Sequence, residues 1–249
     1  MDINIQFKTI LHAETKVYDM EKQTGWNQFK GMETPSTVEI HESFFKAVPE
    51  GSDVLDFGCA WGRIAFQLQK LGYNVMGFDL NENVIETALE TARINDENYK
   101  GTVKFQTANA TELPYDDESF DACILQAFLT TIISPGHRIK VLFEANRVLN
   151  DNGILYLADY GQNWENSLYS ERYMRDYPLT GEFGTFIVTD DVKSCGKELF
   201  RAHHYTKEEL LELVKQNFRV ENFHETVFTT FHGNRTRGYI IIARKEPSH

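Results

Sequence analysis

Basic residues are scarce in this chain of 249: 25 Lys and Arg stand against 37 Asp and Glu, a formal net charge of −12. A nucleic-acid partner draws on clustered Lys and Arg to displace counterions, so that class of function is disfavoured. The basic groupings present are short, such as Arg235 with Arg237. Cysteine is sparse as well. Cys59, Cys123 and Cys195 cannot all pair among themselves and show no CxxC spacing, so neither a disulfide framework nor a zinc site is expected. A reducing cytoplasm is the simplest setting for such a chain. Long apolar runs are missing too: none approaches the ~20 residues that cross a bilayer, and the opening MDINIQFKTILHAETK mixes charge with one short apolar cluster, unlike a signal peptide. No membrane partner is expected.

What is present is alternation. The run VLDF at 54–57 has β character and is followed by Ile64, Ala65, Leu68 and Leu71, spaced to line one helix face. NVMGFDL at 74–80 repeats the strand, Asn81 is placed to cap, and Val84, Ile85, Ala88, Leu89 and Ala92 line a second helix. Further strands are expected at 103–106, 120–126 and 154–158. Between the last two, a loop through Ser134, Pro135 and Gly136 leads into a helix faced by Val141, Leu142, Ala145, Val148 and Leu149. Strands alternating with helices favour a parallel, doubly wound α/β sheet with helices on both faces. Near the end, Thr206 and Glu209 form a capping box, and β-like runs at 219–226 and 238–243 suggest an antiparallel hairpin, giving seven strands in all.

Two stretches lie outside this pattern. Residues 1–50 read as a helical lid segment ahead of the main domain at 51–249, and about 160–205 reads as an insertion over the active-site end. The insertion's Trp164, Tyr169, Tyr173, Tyr177, Phe183 and Phe186 suit a pocket wall for an aromatic or apolar ligand, a homodimer interface, or a small core of the insertion's own. No spacing rule separates these uses.

Chemistry concentrates at VLDFGCAWGR, 54–63, where an acid ends a strand and a Gly-containing turn opens a helix. Absent Cβ atoms let a ligand approach the backbone, and free N–H groups at a helix start favour an anion. Asp79 ends the next strand about twenty residues on, where a carboxylate can accept both ribose hydroxyls of a nucleoside. A dinucleotide fingerprint would need glycines where Ala60 and Arg63 stand, which weakens a nicotinamide-dependent oxidoreductase as the rival reading.

These residues resemble class I S-adenosylmethionine-dependent methyltransferases of the small-molecule type, from about Val54 to Leu157. The resemblance implies a Rossmann-like fold, the cofactor S-adenosylmethionine and its product S-adenosylhomocysteine, and a small-molecule methyl acceptor. It places the methionine portion against Asp56, Gly58, Cys59, Ala60 and Gly62, the ribose on Asp79, and the adenine beside Leu80. The segment 108–126 resembles the adenine-edge motif, with Asn109 where an Asp is usual and the small Ala110 after it. Gln126 matches a position near the sulfonium. Tyr18 is the candidate lid aromatic, since a sulfonium is attracted to a ring face. If a general base is used, His203 and His204 are the candidates, as imidazoles titrate near neutrality and both precede the capped helix. A protein that binds the cofactor without turning it over is the remaining alternative.

Overall fold

The computed structural model describes residues 39–94, 99–190, 196–229 and 235–247. The lid candidate Tyr18 and Cys195 lie outside them. Seven strands form one sheet in the order β3-β2-β1-β4-β5-β9-β8, where β1 is Asp53–Phe57, β2 Asn74–Asp79, β3 Val103–Thr107, β4 Phe120–Gln126, β5 Leu149–Tyr160, β8 Arg219–Thr229 and β9 Arg235–Arg244. The pairings from β3 through β5 are parallel, and β9 and β8 close the sheet antiparallel. The fold is the doubly wound one read from the alternation.

Because successive side chains on a strand point to opposite faces, each strand feeds two cores. Leu55, Cys123, Leu125, Leu155, Leu157 and Ile241 face the layer that contains α4 (Pro135–Val148) and α6 (Lys207–Lys215). Val54, Ala122, Ile124, Tyr156 and Ile240 face the layer of α1 (Glu42–Ala47), α2 (Arg63–Lys70) and α3 (Glu82–Ile94). Local signals match local structure. Pro135 sits in the first turn of α4, its missing N–H costing nothing there. Asn81 Oδ1 accepts from the N–H of Asn83 at the start of α3, and the Thr206–Glu209 capping box is formed reciprocally on α6. Residues 150–153 form an irregularity inside β5: the partner of β4 jumps from Leu149 opposite Phe120 to Ile154 opposite Ala122.

The insertion has more regular structure than its sequence suggested. It comprises α5 (Ser167–Thr180) and a two-stranded antiparallel sheet of β6 (Thr185–Thr189) and β7 (Glu198–His203). Tyr169, Tyr173, Phe186, Val188, Phe200 and Ala202 make a core of its own, whereas Trp164, Tyr177 and Phe183 are exposed. An ion network ties this unit to the main layers. The Arg138 guanidinium of α4, 3% exposed, pairs with both carboxylate oxygens of Glu182 at 2.7 and 2.9 Å and donates to the carbonyls of Ile132 and Ile133. Glu182 Oε2 also lies 3.1 Å from His203 Nδ1, while Glu209 Oε1 of α6 meets the opposite ring nitrogen, Nε2, at 2.9 Å. Burial would raise the Glu182 carboxyl, but His203 and Arg138 together hold it well below the ordinary carboxylate range.

A carboxyl depressed in the folded state stabilises the fold above its unfolded value and loses that contribution as pH falls towards the folded one. Arg138→Met is therefore expected to cost about 3 kcal/mol at pH 7, through the charge it strands. The deficit shrinks below about pH 4, where Glu182 is neutral in the unfolded chain. Urea unfolding of both proteins at pH 7 and in acid reads this directly, and an equal deficit at both would refute the charge account.

Candidate active site

Strand order sets the location of the site. The chain leaves β1 for β2 and β3 on one side and returns to β4 on the other, so the crevice between the loops after β1 and β4 opens at the carboxyl ends of the strands. The turn after β1 is built from left-handed residues: Gly58 has φ 61°, Ala60 φ 48° and Gly62 φ 89°. A side chain at Gly58 would collide with the Phe128 ring, 2.5 Å from its Cδ2, and one at Gly62 would meet Phe105 at 2.6 Å. Glycine is demanded at both places by backbone angle and by contact. Ala60, without that freedom, is strained into place, a condition that persists only where the surroundings over-determine it.

Part of that determination comes from Asp79. Its Oδ2 accepts from the Ala60 N–H at 3.1 Å and its Oδ1 from the Asn81 N–H at 2.9 Å, so one carboxylate ties the turn after β1 to the turn after β2. Burial raises the Asp79 carboxyl, opposed by the N–H groups of Asn81, Ala60 and Leu80. Three N–H groups on two oxygens leave a lone-pair direction for a hydroxyl. Leu80 follows it, exposed at the rim.

Asp56 is 2% exposed, and burial pushes its carboxyl up to about 7 against the pull of Arg63. Its Oδ2 has no hydrogen-bond partner among the described residues. A buried carboxylate oxygen with an open valence beside a bare backbone turn suits a ligand that brings a cationic donor, as an amino-acid ammonium does. Cys59 is buried, its N–H spent on the Phe78 carbonyl and its thiol pushed well up by burial.

The remaining candidates fall into two groups. Asn109, Ala110 and Gln126 lie at strand ends on the same side of the sheet, Gln126 opposite Ala158 of β5. The Asn109 amide oxygen, which could replace the usual Asp as acceptor for the adenine amine, already accepts from the Thr111 N–H and hydroxyl, both at 3.0 Å; that fills its two lone pairs and leaves the amide nitrogen, a donor, for a ligand. His203 and His204 are not at an open mouth. They are 0% and 3% exposed, His203 inside the ion network. His204 is stacked on Tyr160 and held at 2.8 Å to the Tyr173 hydroxyl. Burial drives the His204 imidazole down to about 3, so it stays neutral.

Glu182, His203 and Glu209 lie close enough to suggest a metal centre. The two carboxylates, however, engage opposite nitrogens of one ring, and Arg138 brings a positive charge against both, 2.7 Å from Glu182 and 3.7 Å from Glu209. That is the geometry of a hydrogen-bonded ion network. Sequence reasoning missed Phe128 and Asp159. The first is revealed only by its contact with Gly58; the second carried a signal, a lone acid in the apolar strand LYLADY.

Comparison with known proteins agrees with this geometry. A family model described as a methyltransferase domain matches residues 55–157. Methyltransferase GfsG of Streptomyces halstedii is 38% identical over 113 residues, 45% of this chain and 39% of that protein. The first curated relatives are thus matched over only about two fifths of their own length, 41% and 39%. Among solved structures, the Burkholderia thailandensis 1,6-didemethyltoxoflavin-N1-methyltransferase, determined with S-adenosylhomocysteine, shares the fold at a TM-score of 0.56 and 16% identity, over 80% of this chain and 72% of that one. A S-adenosylmethionine-dependent methyltransferase of Methanosarcina mazei is far nearer: 35% identity and a TM-score of 0.80, covering 85% of this chain and 100% of that one. With a left-handed glycine turn, a buried acid behind it and a second acid closing it, the chain belongs to the S-adenosylmethionine-dependent methyltransferases.

Proposed function

We propose that this protein transfers the methyl group of S-adenosylmethionine to a small-molecule acceptor. The observation that carries the site assignment is the open valence of the buried Asp56 carboxylate behind the Gly58–Gly62 turn. In this reading Asp56 and the backbone of Gly58, Cys59, Ala60 and Gly62 receive the amino-acid end of the cofactor. Asp79 accepts the ribose hydroxyls, and Leu80, Ala110 and the Asn109 amide nitrogen meet the adenine. Gln126 stands at the entrance for the acceptor.

When bound, the cofactor supplies a methyl group already activated by its sulfonium for in-line displacement. What the protein adds is alignment and exclusion of water, which can supply much of the rate. No imidazole is placed for proton removal by His203 or His204, since one is enclosed by carboxylates and the other is neutral and boxed by aromatics. We assign both to holding the insertion in place. An acceptor that must lose a proton would then take a base from elsewhere or lose it to water. The acidic net charge and the exposed aromatic cluster of Trp164, Tyr177 and Phe183 favour a small, partly apolar acceptor over a nucleic acid.

Calorimetric titration is expected to give micromolar binding of S-adenosylhomocysteine and none of NAD; binding of NAD alone would overturn the cofactor site. Asp79→Ala removes a charged acceptor worth about 2 kcal/mol and should weaken S-adenosylhomocysteine about 30-fold with the fold retained by circular dichroism. Unchanged affinity would displace the ribose from Asp79. A protein that binds but only senses the cofactor would release no S-adenosylhomocysteine across an acceptor panel, whereas the enzyme releases it with at least one member.

A further inference from the structure

Asp159, at the carboxyl end of β5, is 0% exposed and has no part in the cofactor contacts assigned above. Its Oδ2 accepts from the N–H of Thr130 at 3.0 Å and its Oδ1 from the N–H of Tyr160 at 2.8 Å, with the Leu129 N–H also directed to it. Leu129 and Thr130 begin the single 3-10 turn, Leu129–Thr131, that follows β4. Asp159 is therefore a carboxylate cap on that turn, supplied from the neighbouring strand.

The capped loop is held on other sides as well. The Ala127 N–H bonds the Ala158 carbonyl at 2.7 Å, the Thr130 hydroxyl donates to the His203 carbonyl at 2.8 Å, and the Tyr205 hydroxyl donates to the Leu129 carbonyl at 2.8 Å. Ala127 is left-handed, φ 51°, without being glycine. Next to it, Phe128 lies on Gly58 and makes an edge contact with Phe57, ring centroids 5.8 Å apart. Phe128 forms one wall of the glycine turn and packs on the core, and where its ring stands depends in part on whatever fixes its backbone.

We infer that Asp159 is a positioning residue for cofactor binding: by capping the turn after β4 it sets Phe128 on Gly58 and so shapes the wall of the methyl-transfer site. The inference rests on the proposed site. Removing the charge replaces an acceptor facing the Thr130 N–H by a group that also donates, and the loop must shift to relieve the donor–donor contact. The same replacement occurs by protonation, because burial pushes the Asp159 carboxyl up to about 7. The groups that face it are the Tyr160 N–H on its own strand, Leu129 and Thr130 on the turn, His203 of β7, and Tyr205, whose ring lies under Arg138; Glu182 and Glu209 stand behind His203.

The test is the dissociation constant for S-adenosylhomocysteine of wild type, Asp159→Asn and Cys123→Ala at pH 8 and pH 6. Cys123 is buried within β4, its thiol directed at the Ala145 carbonyl of α4 and making no hydrogen bond to the turn, so Cys123→Ala serves as the control for lost stability. Asp159→Asn should bind about fivefold more weakly than wild type at pH 8. The ratio should close towards one at pH 6, where wild type is itself protonated, and Cys123→Ala should match wild type at both. A ratio of one at pH 8, a ratio equal at both pH values, or a loss matched by Cys123→Ala overturns the inference. Wild type that fails to bind at all instead refutes the cofactor site. If Asp159→Asn does not fold, Thr130→Val, which cuts the tie from the same turn to His203, should weaken binding in the same direction; unchanged affinity there also overturns it.

Discussion

The bond from the Ala60 N–H to the Asp79 carboxylate is the tie on which the rest of the site depends. It closes two loops, from two neighbouring parallel strands, around one side of the crevice, and it holds Ala60 in a backbone region that an alanine does not choose. With that bond in place, the helix after the turn begins where Asp56 can reach the Ala65 N–H, and the second Asp56 oxygen is left without a hydrogen-bond partner among the described residues. Two acids at the ends of adjacent strands thus divide the work: one shapes the loop, and the other keeps a valence open.

Much of this was legible in the sequence because the signals are local. Period-2 and period-3.6 apolar spacing, a capping box and a proline in a first helical turn each report on a few neighbouring residues, and the strands through β4 fell where those patterns place them. The acid-glycine turn and Asp79 were equally readable, since their spacing follows from one β-α-β unit. What was not legible depends on residues far apart in the chain. Nothing near Phe128 says that it rests on Gly58, seventy residues earlier. Nothing near His203 says that Glu182, Glu209 and Arg138 will converge on it or beside it. That His203 and His204 precede the capped helix says nothing of their burial, and β7 carries His203 inward while the insertion's tyrosines enclose His204.

The insertion joins the main layers through buried charge more than through apolar contact. Arg138 reaches from α4 to Glu182, and Glu209 reaches from α6 to His203, so the placement of the unit against the main layers is specified by directional bonds. Apolar surfaces slide at little cost; a bidentate guanidinium does not. Buried ion pairs of this kind add orientation more than they add stability.

The sheet's outermost strand carries a different consequence. β8 has no neighbour beyond it among the described residues, and an open edge of this length is a template on which another chain could build. Its exposed positions include Arg219, Glu221 and Glu225 beside Asn222, Val227 and Thr229, and its register slips between Val220 and Asn222. A strand approaching from another molecule would have to accommodate those charges and match a ladder that is out of step, which disfavours pairing along that edge.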